Sequence, residues 1–308
     1  MTSRNDALPF AVPVPGEQPA EVAIAAPGGG PGHWAGSPSA ALGPDGEMWL
    51  AYRLRRPVGD GRGYGVMIAK ADDGVHFTPQ ALLDRADFVC DSLERPALVR
   101  RPDGGWRIFV SAATPGTLHW RIDAIDADDP SEFDPADRVT VLPGDADRAL
   151  KDPVVRCTDG AWEMWVCEHV ITDPETADAM STWYATSPDG LVWTIDQQCL
   201  APRAEGWDSR GARIADVLGS NGSRVAYYNG RATFEENWEE RTGVAASNGT
   251  AVFTAIGDAP AASSPHGLGG LRYLSIVALP DGGHRLYYEA TRADGAHDLL
   301  TEYAPASF

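Results

Sequence analysis

Lys151-Asp152-Pro153-Val154-Val155-Arg156-Cys157-Thr158-Asp159-Gly160-Ala161-Trp162-Glu163-Met164-Trp165-Val166-Cys167-Glu168 is the stretch that decides the fold. It reads as a charged step, a proline, a short apolar run, an Asp-Gly turn and an aromatic-rich run, which is the pattern of a β-hairpin. The same pattern recurs as GSPSAALGPDGEMWLAYR from Gly36, ERPALVRRPDGGWRIFVSA from Glu94, RGARIADVLGSNGSRVAYYNG from Arg210 and LRYLSIVALPDGGHRLYYEA from Leu271. Aligned on Pro38, Pro96, Pro153, Gly211 and Leu271, the copies lie 58, 57, 58 and 60 residues apart.

A second hairpin follows in four of the copies: YGVMIAKADDGVHFT from Tyr64, a looser LHWRIDAIDADDPSEF from Leu118, WYATSPDGLVWT from Trp183 and GVAASNGTAVFT from Gly243. Each of these four copies therefore predicts four antiparallel strands. Helical spacing is almost absent, so a period near 58 argues for radially stacked sheets rather than a solenoid. The expectation is an all-β, five-bladed β-propeller forming one domain over 1–308, with blades at about 33–90, 91–147, 148–205, 206–262 and 263–308. The fifth copy shows only three clear strands, and the isolated run at 21–25 is expected to supply the fourth and close the ring. A pair of β-sandwiches is the rival architecture.

The chain has 308 residues and a formal charge of −19, so its overall field repels polyanions, and nucleic acid is not an expected partner. Neither an export-type apolar run near the start nor a membrane span is legible, which predicts a soluble, cytoplasmic protein with no membrane partner. Cys90, Cys157, Cys167 and Cys199 lack metal-site spacing and read as buried free thiols, with a Cys157–Cys167 cross-strand bridge as the alternative. The histidines show no paired metal-ligand spacing, so no cofactor and no metal are expected; a Ca²⁺ held partly through water in the channel is the one ion kept open. The Asp-Gly pairs at Asp45, Asp73, Asp103, Asp159, Asp189 and Asp281 read as turns rather than calcium ligands.

In a propeller the start of each first strand faces the central funnel. Those positions are Ser37, Glu94-Arg95, Lys151-Asp152, Ser209-Arg210 and Arg272. Charges gathered round an axis cost desolvation energy unless they are paired or used. They form either an electrostatic collar across blades or a ligand site. His33 and Trp34 before the first blade, Trp207 and Asp208 before the fourth, and the loop from Glu168-His169 to Met180 after the third are candidates for holding a sugar, with blade packing as the alternative for both tryptophans.

The blade rhythm, the Xaa-Pro steps and the repeated Asp-Gly hairpins resemble the five-bladed propeller glycosidase superfamily of β-xylosidases/arabinanases, invertases/levansucrases and mannosyl-phosphorylases, over His33 to Tyr303. In the first of these branches the resemblance implies a base Asp on blade one, an orienting Asp on blade three and an acid Glu on blade four. Lys151-Asp152-Pro153 matches the blade-three step, whereas Ser37 stands in the base position and Arg210 in the acid position. A serine hydroxyl and a guanidinium cannot do that work. Glu94 and Asp152, on adjacent blades, are the replacement acid–base pair, with Asp91, Asp208, Glu168 and Glu289 as further carboxyls near the funnel. The phosphorylase branch implies a basic cluster for inorganic phosphate, for which Arg95, Lys151, Arg210, Arg213 and Arg272 are candidates; the same cluster suits an anionic substrate. The expected ligand is a small molecule or oligosaccharide. A sugar-binding propeller without turnover, and a propeller enzyme of another class in small-metabolite biosynthesis, stay open.

Overall fold

The computed structural model describes residues 8–220 and 222–306. After β1 (Glu21–Ile24) the strands fall into four-stranded antiparallel groups. The first group is β2 (Trp34–Leu42), β3 (Met48–Arg55), β4 (Gly63–Ala71) and β5 (Thr78–Asp84). The second is β6 (Leu93–Arg100), β7 (Trp106–Ala113), β8 (Trp120–Ala127) and β9 (Val139–Leu142), and the third is β10 (Arg148–Thr158), β11 (Ala161–Val170), β12 (Ser181–Ser187) and β13 (Thr194–Leu200). The fourth is β14 (Gly211–Ser220), β15 (Ser223–Arg231), β16 (Arg241–Ser247) and β17 (Thr254–Ile256). The last is β18 (Leu271–Ala278), β19 (His284–Thr291) and β20 (His297–Ala304), with β1 paired antiparallel to β20 as its outer strand.

The fold is all-β and of propeller type. The first and last groups join through one parallel bridge, Trp34 to His297. First strands of successive groups pack on one another, and β18 packs back on β2. The apolar residues follow the same cycle: each large cluster lies between two consecutive groups, from Trp49 against Trp106 between the first and second to Leu50 against Tyr287 between the last and first. Alternate strand residues feed these seams, and each fully buried large side chain contributes about 1.5–3 kcal/mol. The glycines of the six Asp-Gly pairs all take positive φ, as tight turns require, and Asp73, Asp103, Asp189 and Asp281 accept backbone N–H groups of their own turns.

The four cysteines are free, and Cys157 and Cys167 are not cross-strand partners, since they face Trp162 and Lys151 respectively. No helix among the described residues is long and apolar enough to cross a membrane.

Candidate functional site

The funnel is built from one irregularity repeated in every group. Midway along each first strand, two residues face one on the second strand: Ser37-Pro38 face Tyr52, Glu94-Arg95 face Ser111, Asp152-Pro153 face Val166, Ile214-Ala215 face Tyr228, and Tyr273-Leu274 face Tyr288. Such a bulge bends the strand and re-aims its side chains. Ser37, Asp152 and Tyr273 take left-handed φ values of 52°, 54° and 54°, which costs a non-glycine residue about 1–2 kcal/mol. The strain is held by hydrogen bonds from the neighbouring group. The N–H groups of Ser37, Asp152 and Tyr273 donate to Glu289, Ser111 and Asn229, each on the second strand of the preceding group.

These bulges correct the alignment of the fourth and fifth copies. The residue equivalent to Asp152 in the fourth group is Ile214, and Arg213 is the counterpart of Lys151 and Arg272. Arg210 lies outside the bulge and pairs with Asp178 at 2.6 Å, so it does not stand in the place of an acid. The fourth group has no proline at its bulge, and the sequence alignment slid onto Gly211.

All five groups contribute to a pocket of about 180 Å³. The first gives Arg53 and Arg62, the second Glu94, the third Lys151 and His169, the fourth Arg213, Trp238 and Glu240, and the last Arg272 and Tyr273. Its floor is a chain of ion pairs. Glu94 pairs with Arg53, which meets Glu289 at 2.9 Å; Glu289 meets Arg272 at 2.7 Å; Arg272 meets Glu240 at 2.5 Å. Arg213 lies 3.7 Å from Glu240 and 2.8 Å from Asp152, and Lys151 lies 3.7 Å from Asp152. Tyr273 donates its hydroxyl to Asp152 at 3.3 Å and carries the Arg213 guanidinium 4.1 Å from its ring.

The electrostatics follow from these contacts. Burial alone would raise the carboxyls, but Arg53 and Lys151 hold Glu94 below the usual range, Lys151 and Arg213 hold Asp152 well below it, and Arg272 and Arg53 do the same for Glu289. Glu240 is drawn down to about 2, with Arg272 and Arg213 outweighing burial. Burial, with Lys151 beside it, lowers His169 to about 3, so its ring is neutral. The Tyr273 phenol is pushed up by burial and keeps its proton. Every carboxylate on the floor is thus ionised.

Of the residues nominated from the sequence, Glu94, Lys151, Arg213 and Arg272 line the pocket, and Asp152, Ser37 and Glu289 lie buried beneath it. The others lie away from its lining. Arg95 is turned down the axis, where its guanidinium donates to the carbonyls of Pro38, Ala215 and Leu274 at 3.5, 2.6 and 3.3 Å. Glu168 accepts from Trp183 at 2.6 Å and Ser181 at 3.3 Å, and Asp208 accepts from Tyr228 at 2.6 Å and Arg203 at 2.7 Å. Asp91 is exposed, and His33 is half-buried against Gly28.

Neither nominated tryptophan is an open platform. Trp34 is 3% exposed and stacks on His297 at 4.5 Å. Trp207 stacks on Tyr228 at 5.6 Å, over Gly230 and Gly243, which leave it room. The aromatic face at the pocket belongs to Trp238, 42% exposed with φ 76°. The loop from Glu168-His169 to Met180 does reach the pocket, through His169, Asp178 and Met180; the residues missed by sequence reasoning are Arg53, Arg62, Trp238, Glu240 and Tyr273. A charge inside an apolar second strand marks Arg53, and correct placement of the fifth bulge would have marked Tyr273. Among the described residues no group of three or more His, Cys, Asp or Glu side chains is arranged to hold a metal ion.

In fold the molecule is similar to solved structures of glycosidases and of a mannobiose phosphorylase. No protein-family model matches the chain, and no curated protein is similar to it in sequence. Solved structures share the fold. A glycosyl hydrolase from Bacteroides ovatus is 16% identical at a TM-score of 0.63, over 92% of this chain and 88% of that one. The β-1,2-mannobiose phosphorylase from Listeria innocua, solved with β-1,2-mannobiose, is 15% identical at 0.60, over 94% and 92%. An N-acetylgalactosamine deacetylase from F. plautii, solved with blood group B trisaccharide, is 14% identical at 0.62, over 92% and 95%. At these identities the likeness is one of fold.

Proposed function

We propose that the chain is a five-bladed β-propeller, a single domain over 1–308, that acts on a glycosidic bond in the pocket where its five groups converge. The observation carrying this reading is one pocket that combines the exposed ring of Trp238 with three ionised carboxylates, Glu94, Glu240 and the Asp178 that Arg210 and Arg231 hold. An aromatic face offers an apolar surface with a polar rim, which suits a sugar ring. Ionised carboxylates stabilise the oxocarbenium-like charge of glycosyl transfer. In this reading Glu94 takes the proton of the attacking water or other acceptor, and Glu240 faces the developing charge. Asp152 does not line the pocket; it acts from behind as a positioning residue, fixing Lys151 and Arg213. The glycosyl hydrolase and mannobiose phosphorylase among the fold neighbours support this class of reaction.

One observation favours a second reading. No carboxyl lining the pocket is held protonated among the described residues, and a positioned general acid is worth about 10²–10⁴ in rate. A sugar-binding funnel without turnover would need none. Cleavage of 4-nitrophenyl and methyl glycosides of the same sugars separates the two. The enzyme reading expects the acidic aryl leaving group to react at least about 100-fold faster, because it departs without a proton. Thermal stabilisation by sugars with no product from either series would support the binding module.

A further inference from the structure

Eight cationic side chains gather at this site, Arg53, Arg55, Arg62, Lys151, Arg210, Arg213, Arg231 and Arg272, against five carboxylates, Glu94, Asp152, Asp178, Glu240 and Glu289; Arg210 and Arg231 are taken up by Asp178. The other four carboxylates are engaged by Arg53, Lys151, Arg213 and Arg272. Arg55 and Arg62 are left over: among the described residues neither side chain makes an ion pair or a hydrogen bond, and the Nε of each is buried without a partner. Arg55 is 2% exposed, with its guanidinium 4.0 Å from the ring of Trp34 and 4.9 Å from that of Trp238. Arg62 and Trp238 line the same pocket.

A buried guanidinium without a counter-charge is costly. Burial, with Arg53, Arg272 and Arg62 nearby, draws Arg55 down to about 10 even though Glu94 opposes it. The rest of the chain does not account for this surplus, since its formal charge is −19. A planar guanidinium fork matches the oxygens of a carboxylate or phosphate, and stacking on indole rings fixes that fork before a ligand arrives.

We infer that the glycoside taken by this site carries an oxyanion on its sugar, a carboxylate or a phosphate, which binds beside Trp238 to Arg62 with Arg55 behind it. The inference rests on the funnel being a sugar site. It adds a substrate class, acidic sugars, that neutral glycosides of the same configuration do not meet.

The test is calorimetric titration of the wild-type chain and of Arg62→Ala with four sets of probes. These are methyl glycosides of glucuronic, galacturonic and mannuronic acids, the 6-phosphates of the parent hexoses, the neutral methyl glycosides, and inorganic phosphate. The expected result is at least one acidic sugar binding about tenfold or more tighter than its neutral parent, with the margin removed by Arg62→Ala. Whether uronide or sugar phosphate wins identifies the oxyanion. A neutral parent binding as tightly as its acidic partner would overturn the inference and leave the sugar site standing. Inorganic phosphate matching the best acidic sugar would overturn the assignment of the anion to the sugar. No binding by any sugar would remove both the inference and the reading beneath it. Arg55→Met, checked for its melting transition, gives a second loss of the same margin if it folds; should it not fold, Arg62→Ala decides alone.

Discussion

Asp152 answers to three constraints at once: a left-handed backbone, an N–H caught by Ser111, and a carboxylate shared by Arg213 and Lys151. Lys151-Asp152-Pro153 was therefore legible in the sequence, because a charged pair before a proline is conspicuous in an apolar strand. Glu240 was not. It sits in the acidic run Glu235-Glu236-Asn237-Trp238-Glu239-Glu240, which reads as an exposed loop, and only the fold sets one member against Arg272 and Arg213. Its pH behaviour follows from that placement. The folded protein holds Glu240 at about 2 against an ordinary 4.5, so its contribution to stability is full above about 4.5 and is lost as the pH falls toward 2. Melting temperatures measured from pH 7 to pH 2 should fall across that window in the wild type, and Glu240→Gln should flatten that part of the curve.

At the scale of the element, the bulged first strand is the unit that makes a site from a scaffold. Strand number and order were legible because hydrophobic alternation and Asp-Gly turns are local signals. The bulge register was not, because it depends on side chains reaching in from the neighbouring group, such as Glu289 to Ser37 and Asn229 to Tyr273. Arg95 read as a ligand residue for the same reason: a charge at the funnel step looks alike whether it points up toward a ligand or down toward backbone carbonyls. Since it donates to Pro38, Ala215 and Leu274, its removal strands acceptors in three groups at once. Leaving a buried acceptor unsatisfied costs about 1–3 kcal/mol, so Arg95→Met should destabilise the fold by about 3 kcal/mol or more in urea unfolding. A loss below about 1 kcal/mol would show that the axis does not depend on it.

For the molecule as a whole, the repeat period predicted the architecture, since groups of four strands at near-equal spacing bury their faces only by packing on the next copy. The N-terminal run at 21–25 was legible as a strand without a local partner, and β1 takes its place on β20. The segment before it is tied down as well: Val14 is buried in the seam between the fourth and last groups, and Glu302 accepts from Gly16 at 2.7 Å. Removing residues 1–25 should therefore lower the melting temperature while keeping one transition, and should promote self-association through the uncovered edge of β20, read by light scattering. An unchanged melting temperature would contradict this role.

The central proposal is that the funnel pocket handles a glycosidic bond with Glu94 at the reacting centre. The most direct measurement is turnover of 4-nitrophenyl glycosides by the wild-type chain and by Glu94→Gln, with the melting temperature of both recorded. The expected result is release of 4-nitrophenol by the wild type and its loss by at least about 100-fold in Glu94→Gln, with the variant melting within a few degrees because glutamine still accepts from Arg53. Full turnover by Glu94→Gln would contradict it.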